Sequence, residues 1–202
     1  MALIFVTGNH YKYEEIKRIA AKHGLKIEMR DVACREIQAD ELGEVAGYSV
    51  KEACELIRKP CFVEDAGLFV QAIRNFPGPY SNYVFRKLGN GGLLNLMAKE
   101  RNRRAEFRSA VAYCEPGSES VTFEGRALGK IAPVASGTHG FGFDPIFIPD
   151  ECDGRTFAEM PTGKKNELSH RARASEAFFK WYKQKKTVRR YHGRRSRISK
   201  GS

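Results

Sequence analysis

Short apolar runs and segments of helical periodicity alternate along the first part of the chain. Leu3–Val6 is an apolar run that ends at a Thr-Gly-Asn turn over residues 7–9, and apolar residues at helical spacing follow until Gly24. Residues 25–29 then alternate apolar and polar side chains, as a half-buried strand does. The pattern predicts a strand, a helix and a second strand, with a turn at the carboxyl end of the first strand.

A second helix and a buried strand are predicted in the middle of the chain. Ser49 and a glutamate three residues later fit a capping box, so a helix is predicted to begin there and to end before Pro60. Residues 61–63 form a short apolar run typical of a buried strand, and Glu64 and Asp65 follow directly. We expect these two carboxylates at the carboxyl end of that strand, where open α/β sheets bind ligands.

The second half of the chain predicts antiparallel strands. Residues 105–114 and 120–128 are rich in aromatic and β-branched residues and flank a Pro-Gly-Ser turn, which is typical of a hairpin. A glycine-rich stretch over residues 137–145 precedes a predicted strand at residues 146–148, and a last helix is predicted over residues 169–183. A long hairpin after alternating helices and strands favours a mixed α/β sheet over an all-parallel one.

Charge divides the chain into two parts. Its 202 residues include 35 lysines and arginines against 24 acidic residues, a formal net charge of +11. Nine of the basic residues and no acidic residue lie in residues 183–202, which leaves 26 basic and 24 acidic residues in the rest. We therefore predict a single domain over residues 1–182 and a separate, flexible basic tail over residues 183–202.

The sequence carries no sign of export or membrane insertion. Its longest early apolar run covers residues 2–6, far below the roughly 18 to 20 residues that a membrane span needs, and no cleavage site follows it. The five cysteines are odd in number and form no Cys-x-x-Cys pair, so neither a disulfide framework nor a zinc site is supported. We expect a cytoplasmic protein without a membrane partner.

The turn after the first predicted strand is a candidate phosphate-binding site. Thr7, Asn9 and Lys12 stand where a strand gives way to a helix, so backbone N–H groups and the positive end of the helix dipole converge there. The alternative is that Asn9 only caps the helix and that Lys12 is solvated. The site is not a P-loop, because no G-x-x-x-x-G-K-[ST] sequence occurs in the chain.

Three acidic residues are candidates for a metal site. Glu64 and Asp65 are adjacent on an extended segment, so their side chains point to opposite faces and one of them can face a cleft. Glu36 is the third acid. Carboxylate oxygens, completed by the phosphates of a substrate, are the ligands that Mg²⁺ requires. The alternative is that all three are ordinary surface acids.

A glycine-rich loop and the start of the last helix are candidates for binding a heterocycle. Phe141 and Phe143 are separated by a glycine in a loop that Pro145 restrains, and their rings could offer flat faces for base stacking. The alternative places both rings in the core. Lys165 and His170 lie near the start of the final helix, where donors can face a ligand, although a lone histidine is more often packed or capped.

Several motifs occur in an order and spacing that resembles the inosine triphosphate pyrophosphatase family. They span residues 7–171 and are Thr7-Gly8-Asn9-x-x-Lys12, Glu36-Ile37-Gln38, Lys51, Val63-Glu64-Asp65-Ala66-Gly67, Phe76-Pro77-Gly78-Pro79-Tyr80-Ser81, Phe141-Gly142-Phe143-Asp144-Pro145, Ala158-Glu159-Met160 and Ser169-His170-Arg171. The resemblance implies a homodimeric hydrolase of nucleotide metabolism that splits ITP, dITP and XTP into monophosphate and pyrophosphate with Mg²⁺. It also implies an elongated, mixed central β-sheet flanked by helices, with an active-site cleft between two lobes.

The resemblance also implies roles for individual residues. The substrate would be bound by Thr7, Asn9, Lys12, Tyr80, Ser81, Phe141, Phe143, Asp144, Lys165, His170 and Arg171. The metal would be bound by Glu36, Glu64 and Asp65. Lys12 and Lys51 would contact phosphate oxygens, and Asp65 would orient or deprotonate the attacking water. Phe141 and Phe143 would stack on the base, Asp144 would accept from a ring N–H, and the donors to a 6-keto group would be Lys165, His170 and Arg171.

Two other functions stay open from the sequence alone. One is a pyrophosphatase of similar fold that acts on pyrimidine or other modified nucleotides, which the motifs around Phe141 and His170 disfavour. The other is nucleic-acid binding through the basic tail, because a cationic segment without acids binds polyanions in a salt-dependent way. No recognised nucleic-acid-binding motif supports the second function.

Overall fold

The fold is a mixed α/β sheet with helices on both faces, seen in a computed structural model that describes residues 2–35 and 37–198, with side chains up to residue 187. The strands are β1 (Leu3–Val6), β2 (Ile27–Arg30), β3 (Cys61–Val70), β4 (Phe76–Gly78), β5 (Arg104–Cys114), β6 (Val121–Ile131) and β7 (Phe147–Pro149). The α-helices are α1 (His10–Lys22), α2 (Leu42–Ile57), α3 (Ser81–Leu96), α4 (Thr162–Leu168) and α5 (His170–Ile198). Short 3-10 helices cover Gln71–Ile73, Asp144–Ile146 and Phe157–Glu159.

The sheet changes from parallel to antiparallel at its centre. Its strand order is β2-β1-β3-β5-β6-β7, with β4 paired to β3 off this path. β1 is parallel to both β2 and β3, whereas β3, β5, β6 and β7 are antiparallel neighbours. This arrangement confirms the predicted mixed sheet and the predicted hairpin, which β5 and β6 form.

Strand β3 is longer than the sequence predicts. It was predicted over residues 61–63, but it continues to Val70 because antiparallel pairing with β5 extends from Cys61 to Val70. Glu64 and Asp65 therefore lie inside β3 rather than at its end. Pairing with β1 stops at Phe62, however, so both carboxylates still lie beyond the carboxyl end of β1.

Helix α2 begins seven residues before the predicted start. Ser49 lies inside the helix and Glu41 is its N-cap residue, so the predicted capping box is wrong. The buried face of the helix explains the difference, since Leu42 and Ala46 pack in the core ahead of Val50 and extend its apolar stripe upstream. The helix ends at Ile57, before the proline, as predicted.

Three apolar clusters build two lobes around the sheet. One lies under α1 and α5, with Phe5, Phe62 and Phe178 at its centre, and a second packs α2 against the opposite face of the same strands. We call this part the first lobe. A third cluster joins the far ends of β3, β5 and β6 to α3 and the loops around Phe147 and Phe157, and it forms the second lobe.

Helix α5 runs through most of the segment that was predicted as a tail. It starts at His170, close to the predicted start, and continues to Ile198 without a break at residue 182. Residues 183–198 contain no proline and are rich in lysine and arginine, which favour helix. Among the described residues, no helix combines the length and apolar character that a membrane crossing requires.

Candidate active site

A cleft of about 1200 Å³ opens between the two lobes. Its walls come from the turn after β1, the start of α1, the middle of β3, the start of α3, the loop over residues 141–144 and the first turn of α5. The position matches the rule that α/β sheets bind ligands outside the carboxyl ends of their parallel strands. The cleft is also larger than the roughly 300 to 1,000 Å³ typical of small-molecule sites.

The turn after β1 is fixed by local hydrogen bonds. Asn9 caps α1, since its Oδ1 accepts hydrogen bonds from the backbone N–H groups of Tyr11 at 3.0 Å and Lys12 at 3.2 Å. Thr7 Oγ1 accepts one from the N–H of Asn9 at 3.1 Å. Capping of α1 by Asn9 is thus confirmed. Lys12 is not simply solvated, because its Nζ donates to the backbone oxygen of Glu64 at 3.0 Å.

Six charged side chains of alternating sign form a continuous chain along the cleft, which we call the ion chain. It runs Lys12, Glu64, Arg171, Glu15, Lys165 and Asp144, with successive N···O distances of 2.9, 3.1, 2.6, 2.7 and 2.6 Å. Every member except Lys12 is buried. The ion chain ties α1, β3, α4, α5 and the 141–144 loop together and leads from the β1 turn to the aromatic end of the cleft.

The acids of the ion chain differ in how strongly they are held ionised. Burial alone would raise the pKa of Glu64, but the positive charges of Arg171 and Lys12 outweigh it and hold that pKa at about 2. In Glu15, burial is again opposed by Arg171 and Lys165, and the pKa lies below its usual value. In Asp144, burial prevails over the attraction of Lys165 and raises the pKa.

Glu64 has the features of a metal-binding carboxylate. Its Oε1 accepts hydrogen bonds from Ser109 Oγ at 2.7 Å and Arg171 Nε at 3.1 Å. Its buried Oε2 forms an ion pair with Lys12 Nζ at 2.9 Å. An anionic oxygen of this kind can bind a hard cation at the edge of the cleft. Glu64 therefore fits the role of a Mg²⁺ ligand.

The other predicted metal ligands are less completely described. Asp65 is partly exposed and also lines the cleft, and its Oδ1 accepts a hydrogen bond from the N–H of Ala66 at 2.9 Å. Glu36 lies outside the described residues. Within the described ranges, no group of three or more His, Cys, Asp or Glu side chains has the arrangement of a metal site. Two adjacent carboxylates with substrate phosphates and water are what Mg²⁺ commonly uses, so the donor set still fits the ion.

The two phenylalanines of the 141–143 loop differ in environment. Phe143 is buried and meets Phe85 edge to face at 5.3 Å between ring centroids, as the core alternative proposed. Phe141 is only half-buried and stacks on Tyr11 of α1 at 5.4 Å, with the Arg171 guanidinium 5.2 Å from its ring. Of the two phenylalanines, only Phe141 therefore presents an accessible ring close to the charged groups.

Asp144 and Lys165 hold the 141–144 loop against α4. Asp144 Oδ2 accepts hydrogen bonds from the N–H of Phe141 at 2.8 Å and from Lys165 Nζ at 2.6 Å. The carboxylate fits only because position 140 is a glycine with φ of +74°, where a Cβ would lie 2.1 Å from Asp144 Oδ2. Lys165 is buried behind this carboxylate and does not line the cleft.

His170 is a buried, neutral histidine at the edge of the cleft. Its ring stacks on Phe107 with centroids 4.6 Å apart, and its Nδ1 has no hydrogen-bond partner. Burial, followed by the positive charge of Arg171, lowers the pKa of His170 well below its usual value. A neutral ring with a buried, unpartnered nitrogen can accept or donate one hydrogen bond to a ligand, depending on its tautomer.

Tyr80 and Ser81 lie on the second lobe, at the start of α3. Tyr80 is exposed and lines the cleft. Ser81 also reaches the cleft, but its Oγ accepts a hydrogen bond from the N–H of Leu68 at 2.8 Å and donates one to the carbonyl of Gly78 at 2.7 Å. The hydroxyl of Ser81 therefore joins β3, β4 and α3.

Lys51 is not brought to the cleft. Helix α2 lines the cleft with Val45, Ala46 and Ser49, whereas Lys51 is two residues further along the helix, about 200° around its axis from Ser49. Its Nζ is paired with the carboxylate of Glu119. The phosphate contact predicted for Lys51 has no counterpart in this geometry.

Four residues of the site were not singled out from the sequence. Glu15 bridges Lys165 and Arg171, Ser109 binds Glu64, and both Tyr11 and Arg86 line the cleft. Glu15 carried a usable signal, because it precedes Ile16 on the apolar face of α1, where a buried acid requires a cationic partner. Contacts of Ser109, Tyr11 and Arg86 depend on distant parts of the chain and gave no local signal.

Known proteins resemble this chain over almost its entire length. The Ham1 family model matches residues 3–181. A Methanopyrus kandleri protein named dITP/XTP pyrophosphatase is 49% identical over 183 residues, which cover 91% of this chain and 97% of that protein. A Thermococcus kodakarensis protein of the same name is 47% identical over 184 residues, which cover 91% of this chain and 98% of that protein.

A solved structure shares the fold. A HAM1 protein from Coxiella burnetii matches with a TM-score of 0.78 and 25% identity, over 91% of this chain and all of that chain. Sequence and structure comparisons thus agree with each other and with the resemblance that the motifs carry. The chain belongs to the Ham1 family.

Proposed function

We propose that the protein is a pyrophosphatase that hydrolyses dITP, XTP and ITP to the nucleoside monophosphate and pyrophosphate. The observation that carries the proposal is the ion chain, which joins a phosphate-binding turn at one end of the cleft to an aromatic, hydrogen-bonding end at the other. A nucleoside triphosphate likewise has a phosphate end, which is anionic, and a base end, which is aromatic and forms hydrogen bonds. Relatives that are nearly half identical and carry the name dITP/XTP pyrophosphatase support the same reading.

Thr7, Asn9 and Lys12 would bind the triphosphate. The start of α1 offers N–H groups and a positive dipole end, and Lys12 is the one member of the ion chain that is not buried. In the free protein Lys12 neutralises Glu64. A bound phosphate would share or take over that ammonium group, which couples substrate binding to the charge on Glu64.

Mg²⁺ would be held by Glu64 and Asp65, with Glu36 as a third candidate. The low pKa of Glu64 keeps it anionic at neutral pH, and its Oε2, now paired with Lys12 at 2.9 Å, would exchange that ammonium for the metal ion when the substrate phosphates bind Lys12. When bound, the ion would offset the negative charge of the phosphates and polarise their oxygens. Hydrolysis that stops on treatment with a chelator and returns with Mg²⁺ would support this assignment.

Asp65 would orient or deprotonate the water that attacks the α-phosphorus. It is adjacent to Glu64 on β3 and also lines the cleft, so it can act on a water molecule beside an ion that Glu64 holds. Attack forms the new P–O bond of the monophosphate as the bond to the β-phosphate breaks and pyrophosphate leaves. A proton from the water passes to the carboxylate.

At the base end, the hydrogen-bonding groups would favour purines with a 6-keto group. Lys165 and Arg171 already donate hydrogen bonds to carboxylates of the ion chain. The buried Nδ1 of His170 has no partner and can donate a hydrogen bond to a 6-keto oxygen in a suitable tautomer. Adenine offers an amino donor at position 6, so it would leave a buried donor unpaired at a cost of about 1 to 3 kcal/mol. Phe141 would stack on the ring, and Asp144 would accept from a ring N–H.

Two measurements test this function. Purified protein incubated with dITP and Mg²⁺ should release dIMP and pyrophosphate in equal amounts, and release of orthophosphate and dIDP instead would contradict the proposed bond cleavage. In Asp65→Asn, turnover should fall at least about 100-fold while dITP still binds. Near-normal turnover in that variant would show that Asp65 neither orients nor deprotonates the attacking water.

We also propose that the protein acts as a homodimer in the cytoplasm, as the family resemblance implies. Light scattering coupled to size exclusion should give twice the 22.8 kDa mass of the chain. A monomeric mass for an active preparation would contradict a dimer requirement.

A further inference from the structure

The basic segment at the end of α5 lies beyond the part that the chain shares with its relatives. The Ham1 match ends at residue 181, and relatives that are covered over 97 to 98% of their own length cover 91% of this chain. Residues 183–202 carry nine lysines and arginines and no acid. The function proposed for the cleft makes no use of these charges.

Five of the nine basic positions lie on one face of the α5 backbone. Positions 183, 186, 190, 194 and 197 are separated by three or four residues, and all lie within α5. At 1.5 Å per residue they extend over about 21 Å, the length of about six phosphates of one nucleic-acid strand at 3.4 Å each. A basic helix face of this length matches a run of phosphodiesters.

The body of the protein adds one cation, Lys59, where this segment begins. A second cavity, of about 240 Å³, is lined by Lys59, Lys185 and Lys186, together with Tyr182 and Glu115. Lys185 pairs with Glu115 at 3.0 Å, whereas Lys59 is exposed and has no ion pair with any residue that the structure describes. The positive surface of α5 therefore continues onto the body.

This basic surface is separate from the substrate cleft. The small cavity is bordered by residues 2–4 at the amino end of β1 and by Pro60 at the amino end of β3, whereas the cleft lies beyond the carboxyl end of β1. A ligand on one surface does not need to occupy the other.

We propose that the C-terminal part of α5, with Lys59 of the body, binds the phosphodiester backbone of nucleic acid without sequence preference. Charge complementarity favours this partner, because the cations are repeated along a line and no acid interrupts them. The absence of a base-reading motif in the sequence agrees with recognition of the backbone alone. The enzyme would then act while held on a nucleic acid.

The test compares two variants with equal net charge. The tail variant replaces the five cations of this helix face by glutamine, at Lys183, Lys186, Arg190, Arg194 and Arg197. The matched control replaces five exposed cations of the body that lie outside the cleft and outside the basic surface, namely Lys22, Lys26, Lys99, Arg101 and Lys130. Fluorescence anisotropy with a labelled single strand of about 20 nucleotides, as RNA and as DNA, measures binding at several salt concentrations.

The proposal expects three results. The tail variant should bind at least about tenfold more weakly than the unmodified protein, and its slope of log K against log salt should be shallower by about 3, since each phosphate contact contributes about 0.7. The control should keep both affinity and slope. Saturating oligonucleotide should leave the hydrolysis of dITP unchanged, which separates this proposal from the one for the cleft.

Three other results would overturn the proposal. Equal losses in the tail variant and the control would show that only net charge matters. Competition between the oligonucleotide and dITP would place the nucleic acid in the cleft. Tighter binding to phosphatidylserine vesicles, or to a polyglutamate peptide, than to the oligonucleotide at equal ionic strength would assign the surface to a different partner.

Discussion

Helix α5 holds cations in two opposite environments, one at each end. At its first turn, Arg171 is 3% exposed and sits between the carboxylates of Glu15 and Glu64. Beyond residue 182 the same helix carries a line of lysines and arginines with no acid among them. A buried cation with two partners has one fixed geometry, whereas a run of cations in a segment that contains no acid can follow any chain of phosphates.

The contrast explains why the two ends suit different ligands. Charges in the cleft are desolvated and paired, so their arrangement can discriminate between substrates that differ by a single hydrogen-bonding group. Cations at the other end act through their number and spacing, and their effect is screened by salt. Removing one charge should therefore be severe in the cleft and slight in the C-terminal segment.

The largest effect is expected from Arg171→Met. This change leaves Glu15 and Glu64 buried with fewer positive partners, and we expect the free energy of unfolding to fall by about 3 to 5 kcal/mol. The control is Arg104→Met, which removes a surface pair with Asp150 and should cost less than about 1 kcal/mol. Urea denaturation measures both, and similar losses would contradict the contrast between buried and exposed cations.

A second prediction compares Lys12 and Lys51, which were both predicted from the sequence to contact phosphate oxygens. Lys12→Met should lower kcat/KM for dITP by at least about 100-fold, because it removes a cation from the proposed phosphate site. Lys51→Met should lower it by less than about threefold, since Lys51 is paired with Glu119 outside the cleft. A large loss in Lys51→Met would show that the lysine reaches the substrate in a form that this structure does not contain.

A third prediction concerns the pH dependence of stability. Because the pKa of Glu64 is about 2 in the folded protein against its ordinary 4.5, its ionised form stabilises the fold above pH 4.5. That contribution is lost as the pH falls from 4.5 towards 2. The stability difference between the unmodified protein and Glu64→Gln should therefore be constant at neutral pH and shrink below pH 4.5. A difference that stays constant down to pH 3 would refute the assignment.

The smallest effect is expected from the C-terminal segment. Replacing its five arginines by glutamine should change the free energy of unfolding by less than about 0.5 kcal/mol, the range typical of substitutions away from a packed core. The turnover of dITP should also be unchanged. A loss of more than about 1 kcal/mol in the free energy of unfolding would mean that these arginines pack against the body. The two ends of α5 would then not differ in how their cations contribute to stability.

Local patterns were enough to predict the strand, turn and helix at the start of the chain. Leu3–Val6 and the Asn9 cap depend on neighbouring residues only, and both were found where predicted. The hairpin of β5 and β6 was equally local. These elements already place a helix N-terminus at the edge of the sheet, which is the centre of the proposed phosphate site.

Features that depend on distant partners could not be predicted. β3 extends to Val70 because β5 pairs with it, and the sequence of residues 61–70 does not indicate which strand pairs with it. Ser49 matched a capping box, but the core contacts of Leu42 and Ala46 set the helix start instead. Likewise, the ion chain joins Glu15 to residues about 150 positions later, a contact that no local pattern contains.

A comparison of nucleotides that differ at position 6 of the purine ring is the most direct test of the proposed function. Pyrophosphate release by the purified protein should be compared for XTP, dITP and ATP with Mg²⁺ at neutral pH. We expect a kcat/KM for XTP and dITP at least about 100-fold above that for ATP, because the 6-amino group of ATP cannot accept a hydrogen bond from the buried, unpartnered Nδ1 of His170. Equal values for the three nucleotides would contradict this expectation.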